Sequence, residues 1–175
     1  VDAAAESPHR GPALDMRVRY TAVGALESRL RSQAGWTARP DVLTGPLPPQ
    51  VVVVGLPRSG TTALHQVLAA DQRYQWIPAW LAPSPGPRPE PSHWDTDPRH
   101  EAAVAEHERT GPNALHDVAP NDPEECLQLM RQSFVSMLWV SSQAVPAYHE
   151  WFLEQDERPS YRRFADNLRL IGADD

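Results

Sequence analysis

Apolar positions recur along this chain in two rhythms, and the switch between them marks its most informative segment. Val51, Val52, Val53 and Val54 form an unbroken β-branched run between Pro48-Pro49 and Gly55. Such a run suits a strand covered on both faces, as in a parallel sheet flanked by helices. Past Thr61 the period changes, and Leu64, Val67 and Leu68 fall on one stripe of a helix over 62–70. A strand, a tight loop and a helix in succession leave loop and first-turn N–H groups converging, which is the geometry of an anion site.

Other elements follow from the same pattern. Val23, Leu26 and Leu30 stand at helical spacing within 15–33, with Gly24 lowering that helix's intrinsic stability and Gly35 ending it. Residues 74–78 read as a short strand. The stretch Pro83-Ser84-Pro85-Gly86-Pro87-Arg88-Pro89-Glu90-Pro91 excludes a regular helix or a central strand and reads as a linker. Asp97-Pro98 opens a helix over 98–109 that Gly111 closes. Asp122 at N-cap, Pro123 at N1 and Glu125 at N3 make a near capping box, followed by a long stripe of Leu127, Met130, Phe134, Met137 and Leu138. A last helix over 146–155 gathers Tyr148, Trp151 and Phe152 near one side, which we read as core, and Arg162-Arg163 as a solvated face.

The loop itself narrows the chemistry. Gly55 and Gly60 are separated by four residues, as in the nucleotide-binding pattern G-x-x-x-x-G-K-[ST], but Thr61 stands where that pattern demands lysine. The positive charge sits inside the loop as Arg58, whose guanidinium fork can grip two phosphoryl oxygens. Thr62 holds the hydroxyl position that binds magnesium in the NTPase pattern; without metal it would donate directly to phosphate. No carboxylate partner for a metal is identifiable from the sequence, so no metal site is expected.

Gly55-Leu56-Pro57-Arg58-Ser59-Gly60-Thr61-Thr62 resembles the 5'-phosphosulfate loop of sulfotransferases that use 3'-phosphoadenosine-5'-phosphosulfate (PAPS), in particular the bacterial branch with P-R-[ST]-G-T-T. The likeness continues, in patches, through Leu64-His65, Asp71-Gln72-Arg73-Tyr74, Pro78-Ala79-Trp80, His116-Asp117, Asp122-Pro123-Glu124-Glu125-Cys126 and Tyr161-Arg162-Arg163. It implies an α/β fold, P-loop NTPase-like and three-layered with a central parallel sheet that this chain holds only incompletely. It also implies one sulfotransferase-like domain over 1–175, the N-terminal portion or a subset of it, because no counterpart of the family's 3'-phosphate segment occurs before Asp175. Pro57, Arg58, Ser59, Gly60, Thr61 and Thr62 would bind the donor. Arg58 would also act in catalysis by neutralising charge on the leaving oxygens, and adenosine 3',5'-bisphosphate would be the product.

One position departs from the family pattern. Members of that branch often place a glutamate directly after the tryptophan matching Trp80, where it can act as the base, and this chain has Leu81. We therefore take His116 as the candidate base, since histidine titrates near neutrality. Glu124 and Glu125 also match the family pattern, but capping explains them without a substrate. If the likeness holds, the proline-rich stretch would border an acceptor cleft lined by Trp76, Trp80 and Trp94.

Composition removes whole classes. The 175 residues carry 16 basic against 23 acidic side chains, a net charge of −7 that argues against a nucleic-acid backbone binder. Cys126 is the sole cysteine, which excludes an intrachain disulfide and a cysteine-rich zinc site; it is expected to be buried on the capped helix. With no apolar run of membrane-spanning length and no secretory leader, a cytoplasmic protein acting on a small-molecule acceptor is expected. The sequence leaves two alternatives to sulfuryl transfer: a P-loop phosphotransferase or NTPase, and a non-catalytic nucleotide-binding protein.

Overall fold

Helix α1 (Pro12–Ala38), 27 residues long, packs one face against the later helices. The computed structural model describes residues 11–56, 59–111, 118–143 and 145–174. After α1 come α2 (Thr61–Ala69), α3 (Pro98–Thr110), α4 (Leu127–Met130), α5 (Met137–Gln143), α6 (Pro146–Leu153) and α7 (Arg158–Ile171), with short 3-10 turns at Pro40–Thr44, Pro91–Thr96 and Arg131–Ser133.

The inward face of α1 carries Leu14, Ala25, Ser28, Ser32 and Trp36, and α7 closes on its C-terminal half. Gly35 makes that approach possible: a Cβ there would lie 2.6 Å from Leu170 Cδ2. The glycine expected to end the helix therefore lies inside it, as a packing device. The helix stops at Ala38, two residues before Pro40, whose ring and missing N–H cannot continue it. Trp36 packs with Val42 and Leu170, and its Nε1 donates to the Asp166 carbonyl at 3.2 Å.

A polar hub joins α1, α7 and the turn after α4. Gln132, fully buried, donates from Nε2 to Ser28 Oγ at 2.9 Å, while its Oε1 accepts from Ser32 Oγ at 3.1 Å, Arg163 Nε at 3.1 Å and Asn167 Nδ2 at 3.2 Å. Arg163 also lies 4.5 Å over the Trp36 ring. Burial and the nearby Arg29 cation lower its pKa to about 10. Arg162 is exposed as expected, but Arg163 is half-buried and bonded into the hub.

The second core gathers Trp80, Leu81, Trp94, Leu129 and Ile171, with Trp76 and Ile77 against it. Trp94 meets Trp76 and Trp80 edge-on at 5.7 and 5.8 Å. The three tryptophans expected to line a cleft are instead packed on one another. The proline-rich stretch is not a free linker either. Arg88 N–H donates to the Ile171 carbonyl at 3.0 Å, Trp94 Nε1 to the Pro89 carbonyl at 3.0 Å and Arg99 Nη2 to the Pro87 carbonyl at 2.9 Å, so the segment is strapped to the core.

Two expectations for regular structure fail for physical reasons. Residues 51–56 have no ladder partner among the described residues, and Val52 and Val54 are 75% and 86% exposed. The central sheet of the expected three-layer fold is accordingly not formed among them; they are mostly helical, with an isolated antiparallel bridge between Pro78 and Pro123. The helix expected from Asp122 is broken as well. Backbone pairing of 122–124 with 77–79 takes the donors and acceptors a first turn would use, and Phe134 at φ 57° interrupts the stripe between α4 and α5. Asp97, by contrast, caps α3 as its sequence predicts, accepting from Arg99 N–H at 2.8 Å, and Gly111 ends it at φ 69°.

Candidate functional site

Loop 55–62 is shaped by its glycines. A Cβ on Gly55 would lie 2.6 Å from Ser59 Oγ and 2.7 Å from Thr61 Cγ2, so those side chains fold over a position that only glycine fills. Ser59 N–H donates to the Leu56 carbonyl at 3.1 Å, closing a tight turn. Gly60 then takes the left-handed conformation, φ 91° and ψ 13°, and starts α2. No side-chain hydrogen bond from Gly60 caps that helix, and its carbonyl accepts from Leu64 N–H at 3.0 Å. First-turn amides of a helix have no intrahelical acceptor, so Thr61, Thr62 and Ala63 present N–H groups at a positive helix end.

Of the expected donor-binding residues, the structure brings Ser59, Gly60, Thr61 and Thr62 together around this turn, all but Thr61 exposed. Pro57 and Arg58 lie outside the described residues, as does His116, the candidate base. Leu81, at the position often held by glutamate in the family pattern, is fully buried in the tryptophan core.

A second segment reaches the loop from far along the chain. Residues 120–124 pair with 77–80 through Ala79 N–H to the Asp122 carbonyl at 2.9 Å, Trp80 N–H to the Pro120 carbonyl at 3.0 Å and Glu124 N–H to the Ile77 carbonyl at 2.8 Å. That pairing carries Glu125 to α2, where its Oε1 accepts from Thr62 Oγ1 at 3.3 Å. Capping, the role preferred for Glu125 from sequence, is thus replaced by contact with the loop. Asp122 does not cap a helix either; its carboxylate accepts from Ala119 N–H at 2.9 Å and fixes the turn. Cys126, expected to be buried, is exposed beside Glu125. Its thiol pKa is pushed up by loss of hydration and by the Glu125 carboxylate.

Of the remaining histidines, His100 is buried, with Nε2 2.8 Å from Asn121 Oδ1 and its ring edge-on to Trp80. His65 is half-buried on α2. Among the described residues no cluster of three metal-ligating side chains occurs.

This loop, with its left-handed glycine, falls within the span over which the sulfotransferase family model matches, residues 49–171. The chain belongs to the sulfotransferase family. The crystal structure of sulfotransferase STF1 from Mycobacterium tuberculosis H37Rv is similar over 98% of this chain, with 37% identity and a TM-score of 0.90. That of sulfotransferase STF9 from Mycobacterium avium is similar over 98% of the chain, with 26% identity and a TM-score of 0.84. No curated protein sequence matches. The chain spans about half the length of the two sulfotransferases, 48% and 46%. Among the described residues, none is of a membrane-spanning helix.

Proposed function

We propose that this chain forms the donor-binding part of an enzyme that transfers a sulfuryl group from PAPS to a hydroxyl or amine of a small-molecule acceptor, releasing adenosine 3',5'-bisphosphate. The single observation that carries the reading is the Thr62–Glu125 contact, which sets a carboxylate at the mouth of a loop built to hold an anion. The left-handed Gly60 at the start of α2, the first-turn amides that follow it and Ser59 Oγ packed over Gly55 support a 5'-phosphosulfate there. When bound, PAPS supplies the activated sulfuryl group and its leaving phosphate.

The residues then divide the work. N–H groups of 60–63 and the hydroxyls of Ser59, Thr61 and Thr62 hold the phosphate oxygens, and Arg58 neutralises the charge that grows on the leaving oxygens. Thr62 has one hydroxyl proton, which it gives to Glu125 in the free protein. A phosphate that takes this proton releases Glu125 from its hydroxyl partner and leaves a carboxylate able to accept a proton from the acceptor. Loop occupancy and base availability are coupled through one hydroxyl. His116 is the second candidate for the base.

The same contact favours a second reading. A loop threonine beside a carboxylate is the pair that a magnesium ion bridges in P-loop NTPases, so phosphoryl transfer remains the alternative, against Thr61 at the lysine position. Incubating the full-length protein with sulfur-labelled PAPS and an acceptor panel, and separately with ATP and magnesium, separates the two. Labelled acceptor without phosphate release supports sulfuryl transfer; magnesium-dependent phosphate release without labelled acceptor sinks it.

A further inference from the structure

Helix α1 has two apolar faces, and the outer one is the larger. Met16, Tyr20, Val23, Leu26 and Leu30 are 72%, 75%, 54%, 49% and 69% exposed. At about 100° per residue they fall within roughly 120° of one another, opposite the face that packs Leu14, Ala25, Ser28, Ser32 and Trp36 inward. Met16, Val23 and Leu30 repeat at seven-residue spacing, the period of a helix-pairing seam. Gly24 flanks the seam, and a Cβ there would meet nothing within 4 Å, so the protomer's own packing gives no reason for a helix-weakening residue.

The order of residues along the seam states what covers it. Read outward in both directions from Val23, the stripe is matched to its own reverse: Tyr20 answers Leu26, Met16 answers Leu30, and Arg19 answers Glu27. Two such helices crossing antiparallel at Val23 place apolar side chains level with apolar ones and each Arg19 level with the other copy's Glu27. Arg19 is exposed, and Glu27 forms an exposed pair with Arg31 at 3.5 Å. A two-fold interface must be self-complementary, with each residue meeting its reciprocal partner. A parallel pairing would instead bring like charges level. We propose that the outer face of α1 is a homodimer interface, formed by antiparallel packing of α1 on α1 of a second copy about a two-fold axis at Val23.

Charge reversal tests this in the full chain, by sedimentation over a range of concentrations. Arg19→Glu sets two glutamates level at both ends of the seam, and Glu27→Arg sets two arginines there. Each single reversal is expected to raise the dimer dissociation constant at least about tenfold, and the double reversal to restore it, because opposite charges again stand level. Val23→Cys in a Cys126→Ser background should give a disulfide-linked dimer under mild oxidation. Circular dichroism of each variant checks that α1 is retained. A protein that stays monomeric at every concentration overturns the proposal, because the face is then covered within one polypeptide. So does a dimer indifferent to both single reversals, or one without the Val23→Cys crosslink.

Discussion

Thr62 Oγ1 lies 3.3 Å from a carboxylate oxygen of Glu125, across 63 positions of sequence. The contact depends on the backbone pairing of 120–124 with 77–80, which acts as a bracket delivering a carboxylate to the anion loop. Glu125→Gln keeps an oxygen able to accept from Thr62 but removes the carboxylate proposed as the base. Turnover should fall roughly a hundredfold, the usual scale for a lost general base, with bisphosphate affinity changed less than about threefold. Steady-state kinetics beside a binding isotherm checks both halves. An unchanged turnover number would remove Glu125 from the chemistry.

Gly55→Ala addresses the cradle without touching charge. The added methyl would collide with Ser59 Oγ and Thr61 Cγ2, at 2.6 and 2.7 Å, so both side chains must leave the positions they hold over Gly55. Affinity for adenosine 3',5'-bisphosphate should weaken by about tenfold or more, some 1.4 kcal/mol. Residue 55 is exposed, so the melting temperature should hardly move. Equal loss of stability and binding would point to a structural role instead.

Gln132 carries the opposite expectation. Gln132→Leu keeps the volume but strips partners from Ser28 Oγ and Asn167 Nδ2, both fully buried, and from Arg163 Nε, whereas Ser32 Oγ keeps the Ser28 carbonyl at 3.2 Å. Leaving such groups unsatisfied costs about 1 to 3 kcal/mol each before relaxation, so urea unfolding should show a loss of roughly 3 kcal/mol. Bisphosphate affinity should be preserved at temperatures where the variant is folded.

Much of this architecture could be read from the residues, and the failures share a cause. Asp97 and Gly111 delimit α3 because caps act locally, within one turn of the residues that make them. Gly55 and Gly60 shape their surroundings locally for the same reason. Gly35 misled because its role is set by Leu170, and Asp122 because its backbone is claimed by 77–79. Val23, Leu26 and Leu30 did predict a helix, but periodicity does not say which apolar face turns inward; Ser28 and Ser32 are buried because Gln132 satisfies them. Val51 to Val54 predict a covered strand, but among the described residues they have no ladder partner and Val52 and Val54 stand exposed. Local sequence points Glu125 to a cap because nothing near it announces a contact 63 positions away.

Asp97 offers a pH-dependent check on the local part of the account. Hydrogen bonds from the Arg99 guanidinium hold its carboxyl below the ordinary value of 3.8, against partial burial. A depressed folded pKa means stability that is present above the unfolded pKa and lost as pH falls through the folded one. Asp97→Asn keeps the cap but loses the ion pair, whereas Asp97→Ala also loses the cap, a further cost of about 1 kcal/mol. The deficit of Asp97→Asn against wild type should be constant above about pH 5 and shrink below the ordinary aspartate pKa near 3.9. A pH-independent deficit would show that the pair contributes nothing.

Donor identity is the central claim, and titration calorimetry of the full-length protein tests it most directly. Adenosine 3',5'-bisphosphate should bind more tightly than ADP or ATP, with or without magnesium, and Arg58→Ala should weaken it. Tighter binding of magnesium-ATP than of the bisphosphate would contradict the account and return the loop to phosphoryl chemistry.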